Sequence, residues 1–211
     1  MTITQLIGKT TVVLACGAAF AMFGASSASA ADIAKIAAEC DSCHGKDGAS
    51  TESSVPTIAG MSATYLSDSM KIYKKKERPC VEAKHLTGDK KGKKSDMCKE
   101  AADLSDADAK AIAKYYAGKK FVRAKQPFDA AKAKRGKSVH DSECIKCHEK
   151  GGSSPDDDAG ILAGQWMSYM RDQFVAYRNG KRPQEEKMKV KMDKLSKDDE
   201  EALLHFYASQ Q

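Results

Sequence analysis

The sequence predicts an all-α fold of two tandem helical units, and three observations carry that prediction. Long segments of the two halves align: "IAGMSATYLSDSMKIYKKKERP" at 58–79 lies over "LAGQWMSYMRDQFVAYRNGKRP" at 162–183, pairing Tyr65 with Tyr169, Tyr73 with Tyr177 and Arg78-Pro79 with Arg182-Pro183. Apolar residues recur at helical spacing near each half's end, as Leu104, Ala111, Ile112 and Tyr115 in the first and Leu195, Ala202, Leu203 and Phe206 in the second. No convincing strand-like alternation interrupts them. A chain of 211 residues has room for two small domains.

The first thirty residues differ from the rest. They contain no acidic residue, one lysine (Lys9), an apolar run and a small-residue tail ending in Ala28-Ser29-Ala30. That layout predicts a signal peptide over 1–30, with the mature chain starting near Ala31. The apolar run is too short and weakly flanked for a membrane span, and a lipoprotein reading of Cys16 would leave a very short apolar core. The expectation is export to the periplasm without stable membrane insertion.

Beyond the leader stand Cys40, Cys43, Cys80, Cys98, Cys144 and Cys147. An even set in an oxidising compartment would ordinarily suggest three disulfides. Two pairs, however, lie within "CDSCH" at 40–44 and "CIKCH" at 144–148, and C-x-x-C-H is the attachment sequence of c-type haem. On a helix, residues three and four apart share a face, so two thiols and an imidazole can meet one edge of a flat ligand. The cysteines then hold the haem as thioethers and the histidine reaches the iron. A zinc site would need both pairs together without their adjoining histidines, and a thioredoxin-like site needs a βαβ context. Two haems are therefore expected, on Cys40 and Cys43 with His44, and on Cys144 and Cys147 with His148.

The terminal segments "LSDADAKAIAKYYA" (104–117) and "LSKDDEEALLHFYA" (195–208) also align, at an offset of 91 residues instead of 104, which leaves 13 extra residues in the first half between Pro79 and Met97. Ser105 with Asp108 and Ser196 with Asp199 form a variant of the capping box at the start of each terminal helix. The boundary falls in "FVRAKQPFD", where Pro127 and Asp129 lead into a new helix, giving units 31–123 and 124–211. Some ninety residues make a small core, so the aromatic and aliphatic stripes are expected to pack around haem.

Methionine sulfur commonly completes histidine ligation in electron-carrying cytochromes. The candidates are Met61, Met70 and Met97 in the first half and Met167, Met170, Met188 and Met192 in the second. Met97 stands seven residues before Leu104 and Met188 seven before Leu195, so the repeat selects this pair, with Met192 the competitor at the second iron. An iron with both axial positions filled has no place for substrate; it changes oxidation state and passes electrons. Cys80 and Cys98, the cysteines that haem leaves over, flank the insertion. A disulfide between them is expected, with free thiols the alternative, and would contribute about 3 kcal/mol in the chain-entropy account. It would let the insertion bulge outward while Met97 stays in place. His85, His140 and His205 are expected to be exposed or hydrogen-bonded residues, His85 being the one that could rival Met97.

Two C-x-x-C-H units, each followed by "AG" and an aromatic helix and then by a methionine seven residues before a leucine-serine cap, resemble the dihaem cytochrome c4 family over nearly all of the mature chain. The second half, with "ILAGQW", "KRPQEEKM" and "FYASQQ", is similar to the cytochrome subunit of flavocytochrome c sulfide dehydrogenase. The resemblance implies two tandem cytochrome c-like domains related by approximate twofold symmetry, with haems close enough for internal electron transfer. It also implies a role for Pro56, whose carbonyl would hold the proximal histidine; Gly160 stands at the aligned position in the second half.

The chain carries a formal charge of +6, and residues 71–94 concentrate its basic side chains. That stretch is either a solvated face or a docking patch for an acidic redox partner. No nucleic-acid module is present. Three functions remain in view: the electron-accepting cytochrome subunit of a flavoprotein sulfide dehydrogenase, a freestanding carrier to a terminal oxidase, or, least favoured, a dihaem peroxidase-type enzyme.

Overall fold

The computed structural model describes residues 30–156 and 158–211. The expected leader, with Cys16, lies outside them except for Ala30, where the first helix opens. The helices are Ala30–His44 (α1), Ala63–Lys74 (α2), Met97–Ala102 (α3), Asp106–Ala117 (α4), Ala130–Val139 (α5), the single turn Glu149–Gly152 (α6), Met167–Arg178 (α7), Glu186–Met192 (α8) and Lys197–Ala208 (α9). Their starts reflect side-chain chemistry. Ser62, Asp96, Ser105, Asp129 and Ser196 each accept from a backbone N–H of the next helix, which satisfies donors with no partner inside the helix. Of these five, only Ser196 has a complete capping box, Asp199 returning a bond to the Ser196 N–H.

The fold is mostly helical, as expected, with one small addition. The insertion forms an antiparallel ribbon, Glu82–Lys84 (β1) against Lys94–Asp96 (β2), with Ala83 opposite Ser95. Strands this short and charged leave no alternating trace in the sequence, and a lone ribbon is marginal by itself. Here Cys80 and Cys98 close its base as a disulfide with Cα atoms 5.5 Å apart.

Two apolar clusters form the interior. One gathers Ala37, Met61, Leu66, Ile112, Ala113 and Tyr116 from the first half, together with Ile161 from the second; the other gathers Met170, Met192, Leu195, Leu203, Leu204, Phe206 and Tyr207. Each is tied to its haem-motif loop by the same bonds. Gly48 O accepts from the N–H groups of Ile58 and Ala59 at 2.9 and 3.2 Å, and Gly152 O from those of Leu162 and Ala163 at 2.8 and 3.0 Å. Gly60 N–H donates to Tyr116 O, and Gly164 N–H to Tyr207 O, both at 2.8 Å. The "AG" pair of the repeat thus joins each loop to its terminal helix.

Glycine at 136 has a steric cause. A Cβ there would lie 2.0 Å from the Ala202 carbonyl oxygen, so α5 and α9 cross backbone to backbone. The connection between the halves is also fixed: Ala124 N–H donates to Gly164 O at 2.7 Å, and Asp129 N–H to His205 Nδ1 at 2.9 Å. His205 therefore carries its proton on Nε2, which faces Glu201 at 3.1 Å.

Candidate haem sites

The last turn of α1 presents Cys40, Cys43 and His44. His44 is buried, and its Nδ1–H donates to the Pro56 carbonyl at 2.9 Å, because a carbonyl can only accept. That bond sets the tautomer and leaves the Nε2 lone pair available to a metal. Burial lowers the imidazole pKa, against the raising effect of the Pro56 bond, and so favours the neutral form that a metal requires. Burial also pushes the Cys40 thiol up to about 12 and raises Cys43. Such thiols are poor nucleophiles, unlike those of a disulfide oxidoreductase. Asp41, between them, fixes the next turn of the chain: its carboxylate accepts from the N–H of Asp47 at 2.9 Å, from that of Gly48 at 3.1 Å and from the Tyr116 hydroxyl at 2.7 Å.

These residues line a largely apolar cavity of about 350 Å³. Met61, Met70 and Met97 all border it, as does His85. Met61 belongs to the core, whereas Met97 opens α3 between the Asp96 cap and the Cys80–Cys98 bridge. Asp96 accepts from the N–H of Cys98 at 3.0 Å and of Lys99 at 3.1 Å. Met97 is held on both sides.

The insertion does not bulge outward as expected. It folds back over the haem-attachment turn: Leu86 N–H donates to Ser42 O at 2.6 Å, and His85 Nδ1 lies 2.6 Å from Ser42 Oγ and 3.6 Å from Cys43 Sγ. Lys90 reaches Glu39 at 2.9 Å. His85 is 2% exposed, so of the two expected states, exposed or hydrogen-bonded, it takes the second. The small, polar Ser42 offered the one signal, because a bare haem edge has no need of it. His140 is buried too, hydrogen-bonded to the Tyr207 hydroxyl at 3.0 Å.

The second motif is built differently. A π-helical turn, His140–Cys144, replaces the end of a regular helix, and Ile145 N–H returns to His140 O at 3.0 Å. Cys144 and His148 are half-buried, while Ile145, Lys146 and Cys147 are exposed. Met192 lies in the second core and Met188 packs against it. Gly160, aligned with Pro56, sits beneath Tyr65 of the first half; a Cβ there would lie 3.0 Å from that ring, a tight approach that the ring would have to relieve by a few tenths of an ångström.

The junction of the halves is the feature that sequence reasoning missed. Arg78 and Arg182, equivalent in the repeat, are both buried there. Each guanidinium stacks on the tyrosine of its own half, Arg78 on Tyr73 at 4.2 Å and Arg182 on Tyr177 at 4.5 Å. Each then reaches the other half: Arg78 donates to the Tyr169 hydroxyl at 3.4 Å and Arg182 to that of Tyr65 at 3.2 Å. Both share the Gln173 amide oxygen, at 2.9 and 2.7 Å. Burial alone would raise the Tyr65 phenol, but Arg182 and Arg78 outweigh it and hold its pKa below the ordinary value. The recurrence of Tyr65, Tyr73 and Arg78 as Tyr169, Tyr177 and Arg182 was the available clue.

Among the described residues neither guanidinium meets a carboxylate, and Arg78 Nε is buried without an acceptor. Two buried cations sharing one neutral acceptor call for anions. The propionates of a haem bordering Arg78 are such anions, so the residues present fit that group. Haem would supply a one-electron iron couple, and Cys40, Cys43 and His44 are the residues of the first half placed to hold it.

Comparisons agree with this geometry. The family described as "Cytochrome c" matches residues 30–117, and that described as "Cytochrome C oxidase, cbb3-type, subunit III" matches 131–206. The chain is 30% identical over 159 residues to a cytochrome c4 of Pseudomonas aeruginosa, covering 72% of each. It is 29% identical over 180 residues to a protein of Thiomonas intermedia named "Thiosulfate dehydrogenase electron acceptor", covering 81% of this chain and 76% of the relative. The crystal structure of reduced cytochrome c4 from Pseudomonas stutzeri superposes with a TM-score of 0.67 at 26% identity, over 87% of this chain and 98% of that one.

Proposed function

We propose, on the premise that this chain belongs to the cytochrome c4 family of dihaem electron carriers, that it accepts electrons from a periplasmic dehydrogenase of an inorganic sulfur compound. In this reading Cys40, Cys43, His44 and Met97 hold one haem and Cys144, Cys147, His148 and Met188 the other. Units 31–123 and 124–211 each carry one site, and 1–30 directs export. The chain itself is non-catalytic. Its residues hold iron between two axial side chains, exclude water and set the geometry, so that only an electron is exchanged.

The observation that carries the carrier role is the pairing of two C-x-x-C-H motifs with two buried arginines at one junction. It gives each motif its own domain, with a cationic seam between them. The choice of donor rests on sequence likeness. The likeness of the second half to a sulfide dehydrogenase cytochrome subunit favours sulfide, and the Thiomonas relative favours thiosulfate. Delivery to a terminal oxidase by a freestanding carrier is the second reading, supported by the cytochrome c4 relatives. The test is anaerobic mixing of the oxidised holoprotein with thiosulfate and a thiosulfate dehydrogenase, and separately with sulfide and a flavoprotein sulfide dehydrogenase. Appearance of the ferrous spectrum in one mixture identifies the donor class. Reduction in neither, with full reduction by dithionite, overturns the sulfur-donor reading and leaves the freestanding carrier.

A further inference from the structure

The stapled ribbon covers one haem site and leaves the other open. In the first half, His85, Leu86 and Lys90 close over Ser42, Cys43 and Glu39. In the second half no equivalent insertion exists, and Cys147 is exposed beside Ile145. The outer side of the ribbon is strongly basic. Lys84, Lys91 and Lys93 are exposed and make no ion pair among the described residues, and Val81, 63% exposed, offers an apolar spot at the cavity's edge. A ribbon with an apolar spot at its base and unpaired lysines towards its tip suits a surface of opposite charge. The lysines steer encounter, and the disulfide and the hydrogen bonds to α1 remove the entropy cost of ordering the loop.

We propose that this ribbon is the docking face through which the first haem site exchanges an electron with an acidic one-electron redox protein. The inference rests on the carrier reading of that site. One electron passes between the iron and the partner's centre; no bond is made or broken and no proton moves. The His85–Cys43 contact places the ribbon directly on the haem-attachment turn, so a partner seated on the ribbon lies close to that turn.

The test uses the full holoprotein, reduced, mixed in stopped flow with plant plastocyanin, an acidic blue-copper protein, across ionic strength. The variant Lys91→Glu/Lys93→Glu is compared with Lys146→Glu at the open edge of the second site. At about 10 mM salt, where charges act over roughly 30 Å, the double variant should react about tenfold more slowly than the parent. The gap should close near 1 M salt, and Lys146→Glu should stay within about twofold of the parent, a margin smaller than any steering effect expected there. Parent-like kinetics in the double variant, or a larger loss in Lys146→Glu, overturns the proposal. Haem content and reduction by dithionite are measured first. Full loading with unchanged plastocyanin kinetics defeats docking alone, whereas a parent that binds no haem defeats the carrier reading with it.

Discussion

The two halves solve one problem with the same frame and different walls. Both anchor the haem-motif loop through a glycine carbonyl, Gly48 or Gly152, both tie it to a terminal-helix tyrosine, Tyr116 or Tyr207, and both send an arginine to the junction. They diverge at the haem edge. The first half has Asp41 turned inward and Ser42 under a disulfide-closed ribbon, while the second has Ile145 and Lys146 exposed just after a π-helical turn. The frame is shared by the two halves, and the edge is where they differ.

The comparison breaks most sharply at the helix crossing. Gly136→Val would drive a side chain into the Ala202 carbonyl, and should cost about 3 kcal/mol or more. Thermal melts monitored at each haem should show the second site failing well before the first. The disulfide is the first half's counterpart. Cys80→Ser/Cys98→Ser should lose about 3 kcal/mol, weakening the sulfur–iron absorption of one haem and sparing the other; equal weakening at both would remove the link between staple and Met97.

At the second iron, Met188→Leu should abolish half of the sulfur–iron absorption and Met192→Leu should leave it intact, with only a modest packing loss of about 1 kcal/mol. The reverse pattern would make Met192 the ligand. Acid stability gives a smaller contrast. Glu201 is held at about 2, below its ordinary 4.5, chiefly by its hydrogen bond to Arg171, outweighing slight burial. Its contribution is whole above pH 4.5 and is lost as pH falls towards 2. Glu201→Gln should flatten the acid limb of second-site stability and leave the first unmoved, as pH titration of each haem's spectrum will show. Smallest is the capping pair. Each of Ser105→Ala and Ser196→Ala should cost about 1 kcal/mol in thermal or denaturant melts, with Ser196 costing a few tenths more because its box is complete.

Much of the fold and of both haem motifs is legible from short-range pattern. Tyr65, Tyr73 and Arg78 are visible as one copy of a repeat, yet their meeting with Tyr169, Tyr177 and Arg182 is not, because a repeat shows that residues are equivalent and not that they touch. The path of the insertion is hidden for a related reason. Lysines at 90, 91, 93 and 94 read as a solvated loop, and the bonds that turn it inward, from Leu86 to Ser42 and from Lys90 to Glu39, link residues 44 and 51 positions apart. Gly160 reads as a lost proline in the sequence, whereas in the fold it lies close against the Tyr65 ring of the other half, where a Cβ would come within 3.0 Å.

Features set by neighbours along the chain could be had from the amino acids alone. Three-and-four spacing sets the C-x-x-C-H face, a serine ahead of a helix caps it, and two cysteines either side of an insertion invite a bridge. The order of the helices, the two haem motifs and their methionine candidates belong to this class. The cationic junction, the buried His85 and the contrast between a covered and an open haem edge come from packing between distant segments. Their energies depend on which surfaces exclude water together, and that is settled by the folded chain as a whole.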